Sequence, residues 1–251
     1  MIQSLQRAFA ALELLAETPD RPLPLSEIAG RLGLNLSTCA NIMRTLLGLG
    51  YVEQARKKAG YSLGPAAYFL TRNGPYRKDL VQAALPIATA LADEVRETVL
   101  VAALTGGRRS ILCQVDGNEV FRVSEQFLLR QDVYQTATGR LLLAHLPEAE
   151  LESFLATNGL PREDLWPEAS TAPKLRDELD RLRRDARALT AGDPAGIAFP
   201  ICEGARVAAA LGLFLPKDRF RGEHRRHVLK CMAEAARRIS SELEDRRRGN
   251  D

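Results

Sequence analysis

The chain has 251 residues, of which 45% are apolar, 27% charged and 6% aromatic. Its 35 basic residues nearly balance its 32 acidic ones, so this composition excludes disorder as the main state and provides enough apolar material for two compact domains. No run of about 18 uncharged apolar residues is found, so no membrane-spanning helix is predicted. The four cysteines form no CxxC pair, which is typical of a reducing compartment. We therefore expect a soluble, cytoplasmic protein without a membrane partner.

The excess of positive charge lies in the first third of the chain. Residues 1–75 contain eight basic and five acidic residues, which accounts for the formal net charge of +3 of the whole chain. Such a small excess indicates nucleic-acid binding only if a single surface carries it. The position of each charge therefore matters more than the total.

The N-terminal segment predicts three short helices. The face of the first helix that we expect to be buried consists of Ile2, Leu5, Phe9, Leu12 and Leu15. The charged residues within this pattern predict an amphipathic helix rather than a signal peptide. A second helix is predicted to open at Ser26 and to end at Gly33. A third is predicted to run to about Leu49 from a cap at Asn35 or Ser37.

The third predicted helix separates into two faces when its residues are placed at 100° intervals. The apolar face, which we expect to pack inward, consists of Leu36, Cys39, Ala40, Met43, Leu46 and Leu47. The polar face consists of Ser37, Thr38, Asn41, Arg44 and Thr45 and contains no acidic residue. Asn pairs with adenine and Arg with guanine or phosphate, so this face is suited to a DNA groove.

The elements next to the third helix support the same interpretation. A turn of about four residues joins it to the second helix, as in a helix-turn-helix that presents its second helix to the major groove. Two predicted strands, Tyr51–Gln54 and Tyr61–Leu63, enclose a basic tip that would reach the DNA backbone or the minor groove. Its Arg56, Lys57 and Lys58 would supply the part of the affinity that does not depend on sequence. The alternative is a winged helix used only for protein contacts.

The rest of the chain predicts a helix and then a mixed domain. Residues 77–96 form an amphipathic helix with an internal proline, which either packs on its own copy in a second subunit or lies on its own domain. Strands are predicted at 98–104, 110–115, 119–124, 197–201 and 206–215. Helices are predicted at 139–157 and 172–189, followed by a last amphipathic helix. Hairpins interrupted by helices predict an antiparallel sheet in an α+β domain.

Several segments together resemble the IclR family of bacterial transcriptional regulators. They are LSEIAGRLGLNLSTCANIMRTLLGLGYVEQ followed by YSLGP, then ATGRLLLAHLP, and finally GIAFPI and VAAALGLFLP. The resemblance implies a winged helix-turn-helix at residues 1–75, a linker and dimerisation helix at 76–97, and a GAF-like effector-binding domain at 98–251. It also implies a homodimer, or a dimer of dimers, on a palindromic operator in double-stranded DNA.

Particular residues are predicted to carry these functions. The expected DNA-binding residues are Ser26, Asn35, Ser37, Thr38, Asn41, Arg44, Thr45, Arg56, Lys57 and Lys58. The effector-binding residues that the resemblance implies are Thr138, Gly139, Arg140, Gly196, Gly212 and Phe214. Many members of the family have a cysteine where this chain has Gly196, and some have serines where it has Gly212 and Phe214. Three alternatives follow: a larger and more apolar pocket, a different ligand, or a vestigial pocket.

The second hypothesis is an enzyme or ligand-binding protein with an accessory helix-turn-helix. The motifs GxSxG, HExxH, GxxxxGK[ST] and GxGxxG are missing, so no catalytic residue and no cofactor is predicted. His224 and His227 are three positions apart and either bind a metal or lie on a solvated face, and the second alternative is adopted. Trp166 covers either a pocket or an interface. We therefore predict a transcriptional regulator whose operator binding responds to a small molecule, and no metal site.

Overall fold

The computed structural model describes residues 2–54, 60–70, 76–117, 133–192 and 194–248. The contacts within the chain divide it into two compact units, Met1–Pro75 and Tyr76–Asp251. Within the described ranges, every helix is too short or too polar to cross a membrane.

The first unit is a small helical domain that ends in a two-stranded sheet. Its elements are α1 (Gln3–Ala16), α2 (Leu25–Arg31), α3 (Leu36–Gly48), β1 (Val52–Glu53), β2 (Ser62–Leu63) and α4 (Pro65–Phe69). The two strands pair antiparallel, as the hairpin prediction requires. The short helix α4 was not predicted.

The core of the first unit is formed where α1, α2 and α3 meet. Its fully buried residues include Leu15, Ile28 and Met43, one from each helix. The prediction that Ile2, Leu5 and Phe9 lie on the buried face of α1 is wrong, because their side chains are 64%, 54% and 59% exposed. Only the C-terminal half of α1 is covered, and there Leu14 and Leu15 are buried.

The second unit contains a long helix, a sheet and further helices. Its elements are α5 (Lys78–Val95), β3 (Thr98–Thr105), β4 (Arg108–Val115), α6 (Ala137–Ala144), α7 (Glu148–Asn158), a 3-10 turn (Pro167–Ala169), α8 (Ala172–Asp185), β5 (Ala188–Thr190), β6 (Ala195–Glu203), β7 (Arg206–Leu215) and α9 (Gly222–Arg248). The strands form one antiparallel sheet in the order β4-β3-β7-β6-β5. The predicted α+β class is confirmed.

Both faces of this sheet are buried, which follows from the two-residue period of a strand. In β3, Val99 and Val101 pack with α5 and α9, whereas Leu100 and Ala102 pack with α6 and α8 on the other face. The apolar face of α5 is therefore covered by α9 and the sheet of the same chain. Of the two alternatives for this helix, the structure shows the one in which it lies on its own domain.

Two predicted helices have different bounds in the structure. The single helix at 139–157 is two helices, because Pro147 interrupts it between α6 and α7. The helix at 172–189 ends earlier, since Ala186 adopts a left-handed conformation with φ 47° and Leu189 belongs to β5. The strand predicted at 119–124 lies outside the described residues.

Candidate nucleic-acid interface and effector site

The start of α3 is held by a side-chain cap. Asn35 Oδ1 accepts a hydrogen bond from the backbone N–H of Thr38 at 2.8 Å and another from Ser37 Oγ at 2.9 Å. Of the two caps that the sequence allowed, Asn35 is the one that the structure shows. The cap satisfies one of the backbone N–H groups that every helix leaves unpaired at its start. Asn35 and Ser37 thereby fix the beginning of the predicted reading helix.

The polar face of α3 is open to solvent within the first unit. Asn41, Arg44 and Thr45 are exposed, and Thr38 is half-buried beside them. Thr45 Oγ1 donates a hydrogen bond to the backbone oxygen of Asn41, so its hydroxyl is already engaged. Ser26 lies at the start of α2. The described residues that were predicted to bind DNA therefore all lie on α2, on α3 or at the cap of α3.

Arg44 differs from two other basic residues of the first unit, which form ion pairs. Arg21 binds Glu27 at 2.6 Å, and Arg31 binds Glu17 at 2.9 Å. Arg44 has no ion pair with the described part of the chain, although it is exposed. The face thus presents one cation that is available to a phosphate or a base.

The predicted inward face of α3 is broader than the observed one. Cys39, Met43 and Leu46 are buried as expected, but Leu36 is 57% exposed and Leu47 is 41% exposed. Leu36 is the first residue of α3, and Leu47 lies in its last turn. Arg56, Lys57 and Lys58 lie outside the described residues.

The residues that were predicted to bind the effector come together between α6 and the sheet. Thr138, Gly139 and Arg140 lie in the first turn of α6, Gly196 lies on β6, and the other two, Gly212 and Phe214, lie on β7. All are buried except Arg140, which is half-buried. The order of the elements along the chain did not reveal this proximity, because 50 residues separate α6 from β6.

The two glycines allow α6 to approach the sheet closely. A Cβ atom on Gly212 would lie 2.5 Å from Thr138 Cγ2, and one on Gly196 would lie 2.5 Å from Thr190 Oγ1 and 3.2 Å from the Phe214 ring. The backbone N–H of Gly196 donates to Thr190 Oγ1 at 3.1 Å. Thr190 was missed by the sequence analysis, although its hydroxyl precedes a strand that begins with small residues. A side chain at Gly212 would thus collide with Thr138, and one at Gly196 with Thr190, so both positions require glycine for this packing.

Thr138 and Arg140 differ in what their polar atoms contact. Thr138 Oγ1 is buried and has no hydrogen-bond partner among the described residues. Arg140 donates from Nε to the Tyr134 backbone oxygen and from a terminal nitrogen to the Leu165 backbone oxygen, both at 2.7 Å. Its guanidinium also lies 4.4 Å over the buried ring of Trp166. Arg140 therefore holds the chain segments around α6, and Trp166 is part of the core.

Two grooves in the second unit lie away from these residues. One, of about 210 Å³, is formed by α7 and the β3–β4 turn. The other, of about 450 Å³, is formed by α5 and α9. Neither groove is lined by a residue that was predicted to bind the effector.

Comparisons with known protein families match both units. Residues 4–56 match the model of the IclR helix-turn-helix domain, and residues 76–241 match the model of the C-terminal domain of bacterial transcriptional regulator IclR. The chain is 25% identical over 247 residues to the transcriptional regulator KdgR of Escherichia coli, covering 96% of this chain and 93% of that one. It is 31% identical over 251 residues to the glycerol operon regulatory protein of Streptomyces coelicolor, covering 96% of each chain.

Solved structures with the same fold are also found. An IclR homologue from Microbacterium hydrocarbonoxydans, crystallised with 4-hydroxybenzoate, is 25% identical, covers 96% of this chain and 99% of its own, and has a TM-score of 0.74. IclR from Thermotoga maritima is 22% identical, covers 97% of this chain and 100% of its own, and has a TM-score of 0.71. The second likeness concerns the fold alone.

Proposed function

The chain belongs to the IclR family of bacterial transcriptional regulators, and on that premise we propose which side chains read DNA and how the second unit recognises its effector. The protein is a DNA-binding transcriptional regulator with a C-terminal effector-binding domain, and its relatives are named as regulators or repressors rather than enzymes.

We propose that α3 enters the major groove with Asn41 and Arg44 toward the bases and phosphates. The observation that carries this proposal is the exposed, acid-free face on which Arg44 remains without an ion pair among the described residues. Asn41 and Arg44 are three positions apart and therefore adjacent on the helix surface. In this arrangement Asn35 and Ser37 orient the helix, while Ser26, Thr38 and Thr45 lie beside the DNA backbone. Arg56, Lys57 and Lys58 add phosphate contacts.

The operator is proposed to be palindromic and to be bound by two copies of the chain, or by two such dimers. Two reading helices related by a twofold axis contact half-sites one or more helical turns apart, about 10 base pairs per turn. Selection of bound fragments from a random DNA pool by the full-length protein tests this proposal. We expect an inverted repeat with that spacing, and sedimentation should give at least two chains per bound fragment. A single unrepeated motif bound by one chain would contradict it.

We propose that the effector binds where Thr138 meets Gly212 and Phe214. The buried hydroxyl of Thr138 supplies one hydrogen-bonding group, and the surrounding apolar residues suit an apolar body. Arg140 donates hydrogen bonds to two backbone oxygens and lies over the Trp166 ring. In this proposal it therefore stabilises the site and does not form an ion pair with a negatively charged ligand. We therefore propose a small, uncharged aromatic or apolar effector, one polar group of which pairs with the Thr138 hydroxyl.

A thermal-shift series on the full-length chain tests the effector class. The series includes 4-hydroxybenzoate, with which a homologue was crystallised, and its neutral amide, 4-hydroxybenzamide. Binding to the folded state raises the melting temperature by an amount that grows with the ratio of ligand concentration to Kd. We expect the neutral compound to give the larger shift and to change DNA affinity, because an effector must bind one state of the protein more tightly than the other. A larger shift with the carboxylate would contradict the proposed neutral class.

A further inference from the structure

A second group of polar side chains lies between α5 and α9, away from the proposed DNA and effector contacts. Glu94 lies in the last turn of α5, and His227 and Cys231 lie one turn apart on α9. Residues four positions apart share a helix face, so the imidazole and the thiol point to the same side of α9. The packing of α5 against α9 brings Glu94 to that side.

The distances among these groups resemble the edges of a tetrahedron around one ion. Cys231 Sγ lies 3.1 Å from Glu94 Oε1 and 3.7 Å from His227 Nε2, and Nε2 lies 3.7 Å from the same carboxylate oxygen. Tetrahedral zinc, with Zn–S of about 2.3 Å and Zn–N or Zn–O of about 2.0 Å, requires ligand separations of about 3.3–3.6 Å. Cys231 Sγ also lies 3.6 Å from His227 Nδ1, so the exposed imidazole has to rotate to direct Nε2 at the ion, whereas the sulfur and the carboxylate oxygen need to move only a few tenths of an ångström.

The types of donor indicate which ion would bind. Thiolate and imidazole ligands favour zinc and other borderline or soft metals, whereas Mg²⁺ and Ca²⁺ select sites made of oxygen atoms. Glu94 and His227 are exposed and Cys231 is only 8% exposed, so the site would lie at the surface with a buried sulfur at its base. An ion there would have an open path to solvent.

A redox role or a purely structural role accounts less well for the cluster of Glu94, His227 and Cys231. Burial, together with the hydrogen bond to Glu94, raises the pKa of the Cys231 thiol to about 11, whereas redox-active cysteines have a lowered pKa. The nearby His224 has a structural role, since its Nε2 lies 3.3 Å from the buried Glu97, which also binds Arg219 at 2.8 Å. His227 has no such buried partner among the described residues, since the carboxylate it faces is exposed.

We propose that Glu94, His227 and Cys231 form a Zn²⁺ site that joins the end of α5 to α9, with water as the fourth ligand. Coordination releases the thiol proton to solvent and replaces the hydrogen bond to Glu94 with a metal–sulfur bond. The site is independent of the proposed DNA and effector contacts, so it stands even if those assignments fail. It replaces the expectation from the sequence that the chain has no metal site.

The test uses the full-length chain, prepared without a histidine tag and treated with a chelator. Zn²⁺ titration should give one ion per chain and raise the melting temperature. Co²⁺ should give a thiolate-to-metal charge-transfer absorption, because one ligand is sulfur. Cys231→Ser should abolish that absorption, and Glu94→Gln or His227→Gln should weaken zinc binding by about 100-fold, since even groups behind the ligands contribute 10–100-fold.

Two matched variants serve as controls. His224→Gln removes the other histidine of α9, and Cys202→Ser removes a cysteine on β6, so both should bind zinc as the wild type does. Glu94→Gln changes an exposed side chain, so this variant should fold normally. Its zinc affinity therefore tests the proposed site even if Cys231→Ser does not fold. The proposal is overturned if no stoichiometric zinc binds, if His224→Gln loses as much affinity as His227→Gln, or if Glu94→Gln binds normally.

Discussion

Asn35 Oδ1 accepts a hydrogen bond from the backbone N–H of Thr38 at 2.8 Å, and this contact begins the helix that we propose reads DNA. The same oxygen accepts a hydrogen bond from the Ser37 hydroxyl. A residue that was predicted to touch DNA therefore has a second task, which is to start and orient α3. The two tasks can be separated by substitution.

Asn35→Ala should lower the stability of the first unit by about 1 kcal/mol, because an N-cap is lost. Asn35→Asp should keep the cap and the melting temperature, since a carboxylate is favourable at a helix N-terminus. If Asn35 lies next to phosphate, the aspartate should nevertheless weaken operator binding through repulsion. Thermal unfolding and fluorescence anisotropy on the selected operator measure the two effects. Equal DNA affinity of Asn35→Asp and wild type would place Asn35 away from the DNA.

Arg44→Ala should weaken operator binding, and its salt dependence should reveal the kind of contact. Loss of a phosphate contact reduces the slope of log K against log salt by about 1, whereas loss of a base contact costs about 1–3 kcal/mol and relaxes specificity at one position. Arg21→Ala removes the same charge from a residue that pairs with Glu27, so it is the matched control. Equal losses of operator affinity in both variants would show that Arg44 contributes only through the net charge of the protein.

The basic tip provides a second comparison with Arg44. Replacement of Lys57 and Lys58 by alanine should weaken binding to all sequences roughly equally, because phosphate contacts carry no sequence information. Gel-shift titrations on operator and on unrelated DNA measure this. A loss confined to the operator would assign base contacts to the tip.

Gly212→Ala should destabilise the second unit by about 1–3 kcal/mol, because overpacking a core forces its neighbours to shift. The new Cβ would lie 2.5 Å from Thr138 Cγ2. Thr138→Ser removes that methyl group and should relieve most of the cost. A double-mutant cycle in urea measures the coupling between Gly212 and Thr138.

Gly30→Ala is the control. It lies at a helical position with open space, so the substitution should be neutral or stabilising. Additive effects of the Gly212 and Thr138 substitutions would show that the two do not pack together.

Acidification should destabilise the second unit through His145. Its pKa is lowered by burial and by the charge of Arg183, so the unfolded chain binds a proton more readily than the folded one. The free energy of unfolding is therefore highest above the ordinary pKa of histidine, and it decreases as the pH falls through that pKa. His145→Gln should reduce this dependence between about pH 7.5 and 5.5 in unfolding experiments, the range around the ordinary histidine pKa. An unchanged pH dependence would exclude His145 as the cause.

Much of the first unit could be predicted from the sequence, because the signals that specify its helices lie within a few neighbouring residues. The spacing of Cys39, Met43 and Leu46 identified the buried side of α3, and a small capping residue marked its start. The apolar residues of α1 misled the prediction, since Phe9 and Leu15 both fit a helical period but only Leu15 meets another element. A period describes which residues share a face. It does not specify how far along the helix that face is covered.

The family motifs located the predicted effector site within the chain but did not specify its contacts. Gly212 stands where some members of the family have a serine, and in the structure it is the position that admits Thr138. The effector-binding role of Arg140 stays a prediction, and its hydrogen bonds to the backbone oxygens of Tyr134 and Leu165 could not be read from the motif. These contacts join residues from separate elements, and no local pattern encodes them.

By itself, the sequence determined the features that depend on neighbouring residues: an amphipathic reading helix with its cap, the hairpins of an antiparallel sheet, and the motifs of a family of regulators. Only the tertiary structure decided which distant groups meet. Glu94 and Cys231 are 137 positions apart, yet the packing of α5 on α9 brings them into hydrogen-bond contact. The physical reason is that backbone geometry sets periodicity within an element, whereas burial of apolar surface between elements sets which faces come together.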